Sequence, residues 1–337
     1  MQTARYARGL RFLPIVAFIT TVGLISAVTS DQASAQNVYT TPVGFVNVPI
    51  TNTSGGYNTY ALPLQQLQND QGLVTGSVAS NTLTVACTTC ASTNYGLSTA
   101  LNYIEFNTGA GVGRYYAIQT NDASGDLTLS TGNDNLTTVG GSGVAIGDSY
   151  TIRPFFRIQD CFGTFATTAL HASNTQSRAD NVLVWNGSSY NTYFINSNTG
   201  NWTPNGTDPI LPDESVYVLR RAATQTNLMV LGAVKTTNYV TDLELGYNLV
   251  GNSVPATMVI SNMNLISAGS GFQGSNTQSR SDNVLVWNGS SYDTLFYNTN
   301  TGNWSPSNSY AICPTSTYFI YLKHQGGEWQ RPLPYSP

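Results

Sequence analysis

Charge is what this sequence has least of. Lys, Arg, Asp and Glu make up 9% of the 337 residues, against roughly 25% in ordinary soluble domains. Thirteen basic residues face 17 acidic ones, so no basic stripe exists to meet nucleic acid or an anionic membrane. Histidine occurs twice, at His171 and His324; they align with Gln273 and Ala222, so neither belongs to the repeated pattern and a solvated or structural role is expected over a catalytic one. No G-x-S-x-G is present, and Gly140-Gly141-Ser142-Gly143 lacks the spacing of a nucleophile elbow. Gly109, Gly111 and Gly113 run into a strand pattern rather than a helix, so they do not form a phosphate cradle. Asp122, Ser124 and Asp126 border a turn without the spacing of an EF-hand. A glycosidase needs two carboxylates across a sugar, and no motif here points to a pair. No catalytic residue, cofactor or metal site is read, and a non-enzymatic role is expected.

Long apolar runs are also missing after residue 35, so no membrane-spanning helix is expected. The first 35 residues read as an export signal. Arg5, Arg8 and Arg11 form a basic start, residues 15–28 a short apolar run, and Ala33-Ser34-Ala35 a small-x-small cleavage site. Removing that leader takes away three arginines and Asp31, leaving ten basic and 16 acidic residues and a net charge of −6. The expected location is extracellular or on the cell surface, with the periplasm as a further possibility.

Cysteine is limited to Cys87, Cys90, Cys161 and Cys313. An even number in an exported chain suggests disulfides. Cys87 and Cys90 follow the strand pattern of residues 82–86, not a strand-to-helix junction that would lower a thiol pKa. A structural bridge across a turn is the expected reading. Cys161 and Cys313 have no C-x-x-C partner, which argues against zinc, and their pairing stays open.

What the chain does have is Tyr, Asn, Ser, Thr and Gly, and one stretch twice. Residues 174–204 and 276–306 align at a constant offset of 102, with 25 of 31 positions identical. The stretch reads as a strand meander. In NVLVWN at 181–186, Val182 and Val184 point to one face and Leu183 and Trp185 to the other, so both faces are apolar. Asn186-Gly187 is a hairpin signal in which both residues tolerate positive φ, followed by a second run at 190–196 and a short strand carrying Trp202. At its back the repeat extends through residues 215–219 and 317–321. At its front, Leu231-Gly232-Ala233-Val234 matches Val43-Gly44-Phe45-Val46, and Gly246-Tyr247-Asn248 matches Gly56-Tyr57-Asn58. Between the opening strands and the first meander lie further strand patterns at 73–80, 82–86, 103–107, 113–120, 127–130 and 149–153, separated by glycines. Short helical turns are expected only at 162–170 and 258–266.

The expected fold is all-β: two duplicated antiparallel β units, sandwich or meander, with a small β-barrel-like domain inserted in the first. Residues 1–35 are the signal peptide, 36–64 with 155–227 the split first unit, 65–154 the insert and 228–337 the second unit. PVGFV at 42–46, GRYYAI at 113–118, GDLTL at 125–129, GDSYTI at 147–152 and DNVLVWN at 180–186 together resemble a family of secreted β-rich proteins known mainly from verrucomicrobial genomes. The resemblance covers most of the chain beyond the leader. It implies export and a β architecture, and brings no activity or catalytic residue with it.

Candidate ligand or interface residues come from the repeat. Trp202 and Trp304, beside Gly-Asn turns, are placed either to stack on sugars or to fill the core; Trp185 and Trp287 read as core. Arg178 and Asp180, with Arg280 and Asp282, are the charged residues kept in both copies. They form either two equivalent ligand sites with Gln176 and Gln278 or local ion pairs that fix the loop entering each meander. The expected role is a secreted structural or interaction protein, self-associating through strand edges that few Lys or Arg residues block, with residues 36–42 as a strand donor. Carbohydrate binding is the alternative. Expected partners are copies of the chain, other surface proteins or extracellular polysaccharide, with no nucleic acid and no membrane insertion.

Overall fold

A computed structural model describes residues 42–52, 56–97 and 101–335. Residues 1–35, expected as an export signal, and residues 36–41 lie outside the described residues. The fold is all-β: 24 strands and, among the described residues, one α-helix of five residues. Strands β1 (Val43–Ile50) and β2 (Tyr57–Ala61) come first. The chain then enters a closed six-stranded barrel: β3 (Asp70–Val78), β4 (Thr82–Val85), β5 (Asn102–Phe106), β6 (Tyr115–Asn121), β7 (Asp126–Ser130) and β8 (Ser149–Pro154). They join in the order β3-β4-β7-β6-β5-β8, and β8 closes onto β3 with Asp70 opposite Ile152. Alternate residues fill the interior, among them Ile104, Phe106, Tyr116, Ile118, Leu127, Leu129 and Ile152. The barrel needs β3 to bend, and Gly76 sits where its register with β4 shifts; a Cβ there would meet Thr84 Cβ at 2.6 Å.

Cys87 and Cys90 are disulfide-bonded across the turn after β4, with Cα atoms 5.5 Å apart. The buried carboxylate of Asp70 holds the same turn, accepting the Thr88 N–H (2.9 Å), the Thr89 N–H (3.2 Å) and the Thr89 hydroxyl (2.7 Å). Cys161 and Cys313 are not bridged: the first is buried and the second exposed.

Beyond the barrel come β9 (Phe156–Arg157), helix α1 (Ile158–Phe162), β10 (Asn181–Trp185), β11 (Tyr190–Asn196), β12 (Asn201–Thr203), β13 (Pro209–Ile210), β14 (Ser215–Leu219) and β15 (Thr226–Ala233). They are followed by β16 (Tyr239–Leu243), β17 (Gly246–Gly251), β18 (Met258–Val259), β19 (Asn283–Trp287), β20 (Tyr292–Asn298), β21 (Asn303–Ser305), β22 (Ala311–Ile312), β23 (Thr317–Leu322) and β24 (Gly327–Arg331). Two five-stranded antiparallel sheets result, ordered β12-β11-β10-β14-β2 and β17-β23-β19-β20-β21. Strands β19, β20 and β21 each begin 102 residues after β10, β11 and β12, and Val284 faces Leu295 as Val182 faces Tyr193.

Helix α1 starts earlier than the expected 162–170. The Asp160 carboxylate accepts the Arg157 N–H (3.1 Å), fixing the first turn, and Gly163 at φ +81° ends it. The second expected turn is a single 3-10 turn at Ile260–Asn262. Asn186 does not take positive φ in the hairpin; only Gly187 does, at +95°. The Asn186 side chain instead accepts the N–H groups of Ser188 (3.1 Å) and Ser189 (2.9 Å).

Strand β15 corrects one alignment. Leu231-Gly232-Ala233 and Val43-Gly44-Phe45 are cross-strand partners, with Gly44 opposite Gly232 and Phe45 opposite Leu231. Residues 228–233, read from sequence as the start of the second unit, therefore lie beside β1, and Leu228 and Val230 pack in the first core. In the second half, β16 and β24 form the corresponding ribbon. Both strands of the β1–β15 ribbon carry apolar residues at every second position to cover a core, so pattern alone does not tell partner from copy.

One face of each sheet is covered by its ribbon. Val182, Val216 and Val218 pack beneath β1, β15 and α1, while Val284, Tyr318 and Ile320 pack with Trp329 of β24. The opposite faces meet each other through Leu183, Trp185 and Tyr217 on one side and Leu285, Trp287, Leu249 and Phe319 on the other. The contact is reciprocal. Trp185 Nε1 donates to the Tyr247 carbonyl (3.0 Å), and Trp287 Nε1 donates to the Tyr57 carbonyl (3.3 Å).

Candidate functional site

Trp202 and Trp304 are not surface platforms. They are 8% and 5% exposed. Trp202 Nε1 donates to the Gly163 carbonyl (2.8 Å), and the Trp304 ring lies 5.4 Å from Phe272. The reason lies in the loop that follows: a Cβ at Gly206 would come within 2.6 Å of the Trp202 ring, so that loop folds over the indole. Sugar stacking on these two residues is thereby overturned.

The expected ion pairs within each copy are also replaced. Asp180 is fully buried and pairs with Arg220, not Arg178. It also accepts the backbone N–H groups of His171 (2.7 Å) and Arg221 (2.6 Å). Asp282 does the same with the N–H groups of Gln273 (2.7 Å) and Lys323 (2.7 Å), and it meets His324 Nδ1 at 2.9 Å. Each aspartate thus pins the meander's entry loop to the end of the neighbouring strand. Arg178 and Arg280 stand exposed at the surface. Arg220 escaped notice in the sequence because Leu322 occupies the position 102 residues later.

A cleft of about 590 Å³ lies between the barrel, the first sheet and the β16–β17 hairpin. Its walls carry Asp134, Asp213, Glu214, Asp242 and Glu244, with Arg114 the cation among them and the rings of Tyr115, Trp185 and Tyr247 beside them. Tyr115 donates its hydroxyl to Asp213 (2.6 Å), and Tyr116 to Asp134 (2.6 Å). Arg114 Nη2 pairs with Glu328 at 2.5 Å. Burial pushes the Glu214 carboxyl up to about 7, opposed by the Leu211 N–H it accepts and reinforced by the charge of Asp213. Burial also raises Asp242, to about 6, and the charges of Asp134, Glu328 and Asp213 add to it. At neutral pH the cleft therefore holds both hydrogen-bond donors and acceptors on carboxyl groups. No sequence spacing announces this set; only the fold brings residues 134, 213, 214 and 242 together.

Raised carboxyl values have a defined consequence for stability. The folded protein holds the Glu214 proton more tightly than the unfolded chain does, so this contribution is complete below about 4.5 and is lost as pH rises through about 7. Glu214→Gln is expected to flatten that part of the profile. It should stabilise the protein at pH 8 by roughly 1–3 kcal/mol, allowing for partial solvent access. Unfolding midpoints measured from pH 4.5 to 8 check the difference.

A second surface feature lies on the β1–β15 ribbon. Its outer face presents Val43, Phe45, Met229 and Leu231, each more than half exposed. Phe45 and Leu231 are directly opposite one another. Neither strand contains a charged residue. Among the described residues, β15 is the only strand hydrogen-bonded along β1. An uncharged, apolar edge ribbon is the kind of surface that other proteins guard with lysine.

Among the described residues, no helix is long and apolar enough to cross a membrane, and no cluster of His, Cys, Asp or Glu is arranged to hold a metal ion. No family model, curated protein or solved structure matches the chain.

Proposed function

We propose that this chain is an exported, non-catalytic structural or interaction protein of the cell surface or extracellular matrix. It is built from two copies of one β unit and self-associates through the outer face of the β1–β15 ribbon. The observation that carries this reading is the apolar stripe of Val43, Phe45, Met229 and Leu231 on two strands without charge. A second copy is the favoured occupant because the chain without its leader is acidic, at net −6, and two such molecules repel each other except where charge is absent. An uncharged face meeting its own copy buries apolar area at roughly 25 cal/mol per Å² with no ion to desolvate. Export is supported by the basic, apolar and small-residue order of residues 1–35 and by the Cys87–Cys90 bridge. Immunogold labelling of intact cells tests this placement: label on the outer surface is expected, and label confined to the cytoplasm overturns it.

Carbohydrate binding is kept as a second reading on a specific observation: Trp185 and Tyr247 line the acidic cleft. An aromatic face beside carboxylates suits a neutral sugar chain. A glycan array probed with residues 36–337 separates the readings, because the assembly reading requires no glycan.

A further inference from the structure

We propose that the aromatic cavity between the two sheets is a binding site for a small organic cation of the methylated-ammonium class. The cavity measures about 240 Å³ and is lined by Tyr57, Leu183, Tyr190, Tyr217, Trp287 and Tyr292. It is separate from the acidic cleft, and the proposal does not depend on self-association.

The rings stand as the walls of a box. Trp287 meets Tyr57 at 75°, Tyr217 at 86° and Tyr292 at 64°, and Tyr190 meets Tyr217 at 83°. Centroid separations run from 5.1 to 6.4 Å, so the rings hold one another in place. Each aromatic face carries partial negative charge, and several faces around one point attract a cation without any carboxylate. No Lys or Arg lines the cavity to oppose that charge. The exposed Tyr57 and Tyr292 give a ligand access.

The hydrogen-bonding inventory selects the ligand. The side chains lining the cavity include no Asp, Glu, Asn or Gln. The Tyr292 hydroxyl is engaged with that of Tyr217 at 3.2 Å. A sugar entering here would leave most of its hydroxyls without partners, at a cost of a few kcal/mol. A fully methylated ammonium has no N–H to satisfy, and its methyl groups pack on rings.

The corresponding place on the other side of the sheet contact is lined differently, and its Trp185 and Tyr247 face the acidic cleft. There Phe319 stands where Tyr217 does, and Tyr247 lies flat on Tyr321, with centroids 4.2 Å apart and planes at 9°. Tyr57 faces Leu219 instead, and its ring is not stacked in this way. The two sides therefore differ in the rings they present.

Calorimetric titration of residues 36–337 with choline tests the site, alongside 3,3-dimethylbutan-1-ol, its uncharged counterpart of the same shape. Choline is expected to bind one per chain and about tenfold more tightly than the alcohol. Tyr57→Ala is expected to weaken choline binding about fivefold; it preserves the Tyr57 carbonyl that holds Trp287, so the fold is retained. Trp287→Ala should abolish binding but also removes a sheet contact, which is why Tyr57→Ala is the deciding variant. Equal affinity for choline and the alcohol, affinity unchanged by Tyr57→Ala, preference for methyl glucoside over choline, or no heat at millimolar choline would each overturn the proposal.

Discussion

Glu105→Ala is expected to cost about 3–5 kcal/mol. Glu105 projects from the outer side of β5, because its neighbours Ile104 and Phe106 point into the barrel. It is buried there, against Lys235 and with Arg153 Nε at 3.7 Å. Gln65 Nε2 donates to it at 2.9 Å and Thr237 Oγ1 at 3.4 Å. Lys235 also lies 4.0 Å from the centre of the Tyr239 ring. Removing the carboxylate leaves Lys235 and Arg153 buried without their anion, where burial already pushes the Lys235 ammonium down. Combining Glu105→Leu with Lys235→Met removes the pair rather than half of it, and is expected to recover most of the loss. Urea unfolding of the wild type, both single variants and the double variant completes the cycle. A single variant as stable as the wild type would show that the charges do not couple.

Trp185→Ala and Trp287→Ala are each expected to cost about 2–4 kcal/mol, below the range for fully buried tryptophans because both rings are partly exposed. Each indole spans the contact between the sheets, packs on the tyrosine of its own hairpin at 5.1 Å and donates to a backbone carbonyl on the opposite sheet. Reciprocity predicts similar losses for the two. The double variant should depart from additivity by about 0.5–3 kcal/mol, since both residues belong to one apolar cluster. Denaturant midpoints for the three variants check this, and strongly unequal single losses would show that the two reciprocal contacts are not equivalent.

Strand-level features were legible where a short period carries the information. The alternation in NVLVWN put Val182 and Val184 on one face and Leu183 and Trp185 on the other, and those faces pack in separate clusters. The barrel strands were readable for the same reason, since glycine turns separate runs of alternating apolar residues. What failed were statements about partners. β15, read as the copy of β1, is its hydrogen-bonded partner. The burial of Trp202 depends on the carbonyl of Gly163, 39 residues away. Asp180 finds Arg220 across 40 residues. The acidic cleft collects carboxylates from the barrel, the first sheet and the β16–β17 hairpin. Such distances have no period, so no pattern along the chain reports them.

The central claim is assembly through the β1–β15 ribbon, and sedimentation velocity over a concentration series measures it most directly. Residues 36–337 should form larger species as concentration rises. Phe45→Lys combined with Leu231→Lys should remain monomeric with an unchanged circular dichroism spectrum, because two like charges placed opposite each other on exposed positions repel a second copy without entering the core. A wild-type chain that stays monomeric up to roughly millimolar concentration, where even weak transient interfaces are occupied, or a double-lysine variant that assembles equally well, would contradict the account.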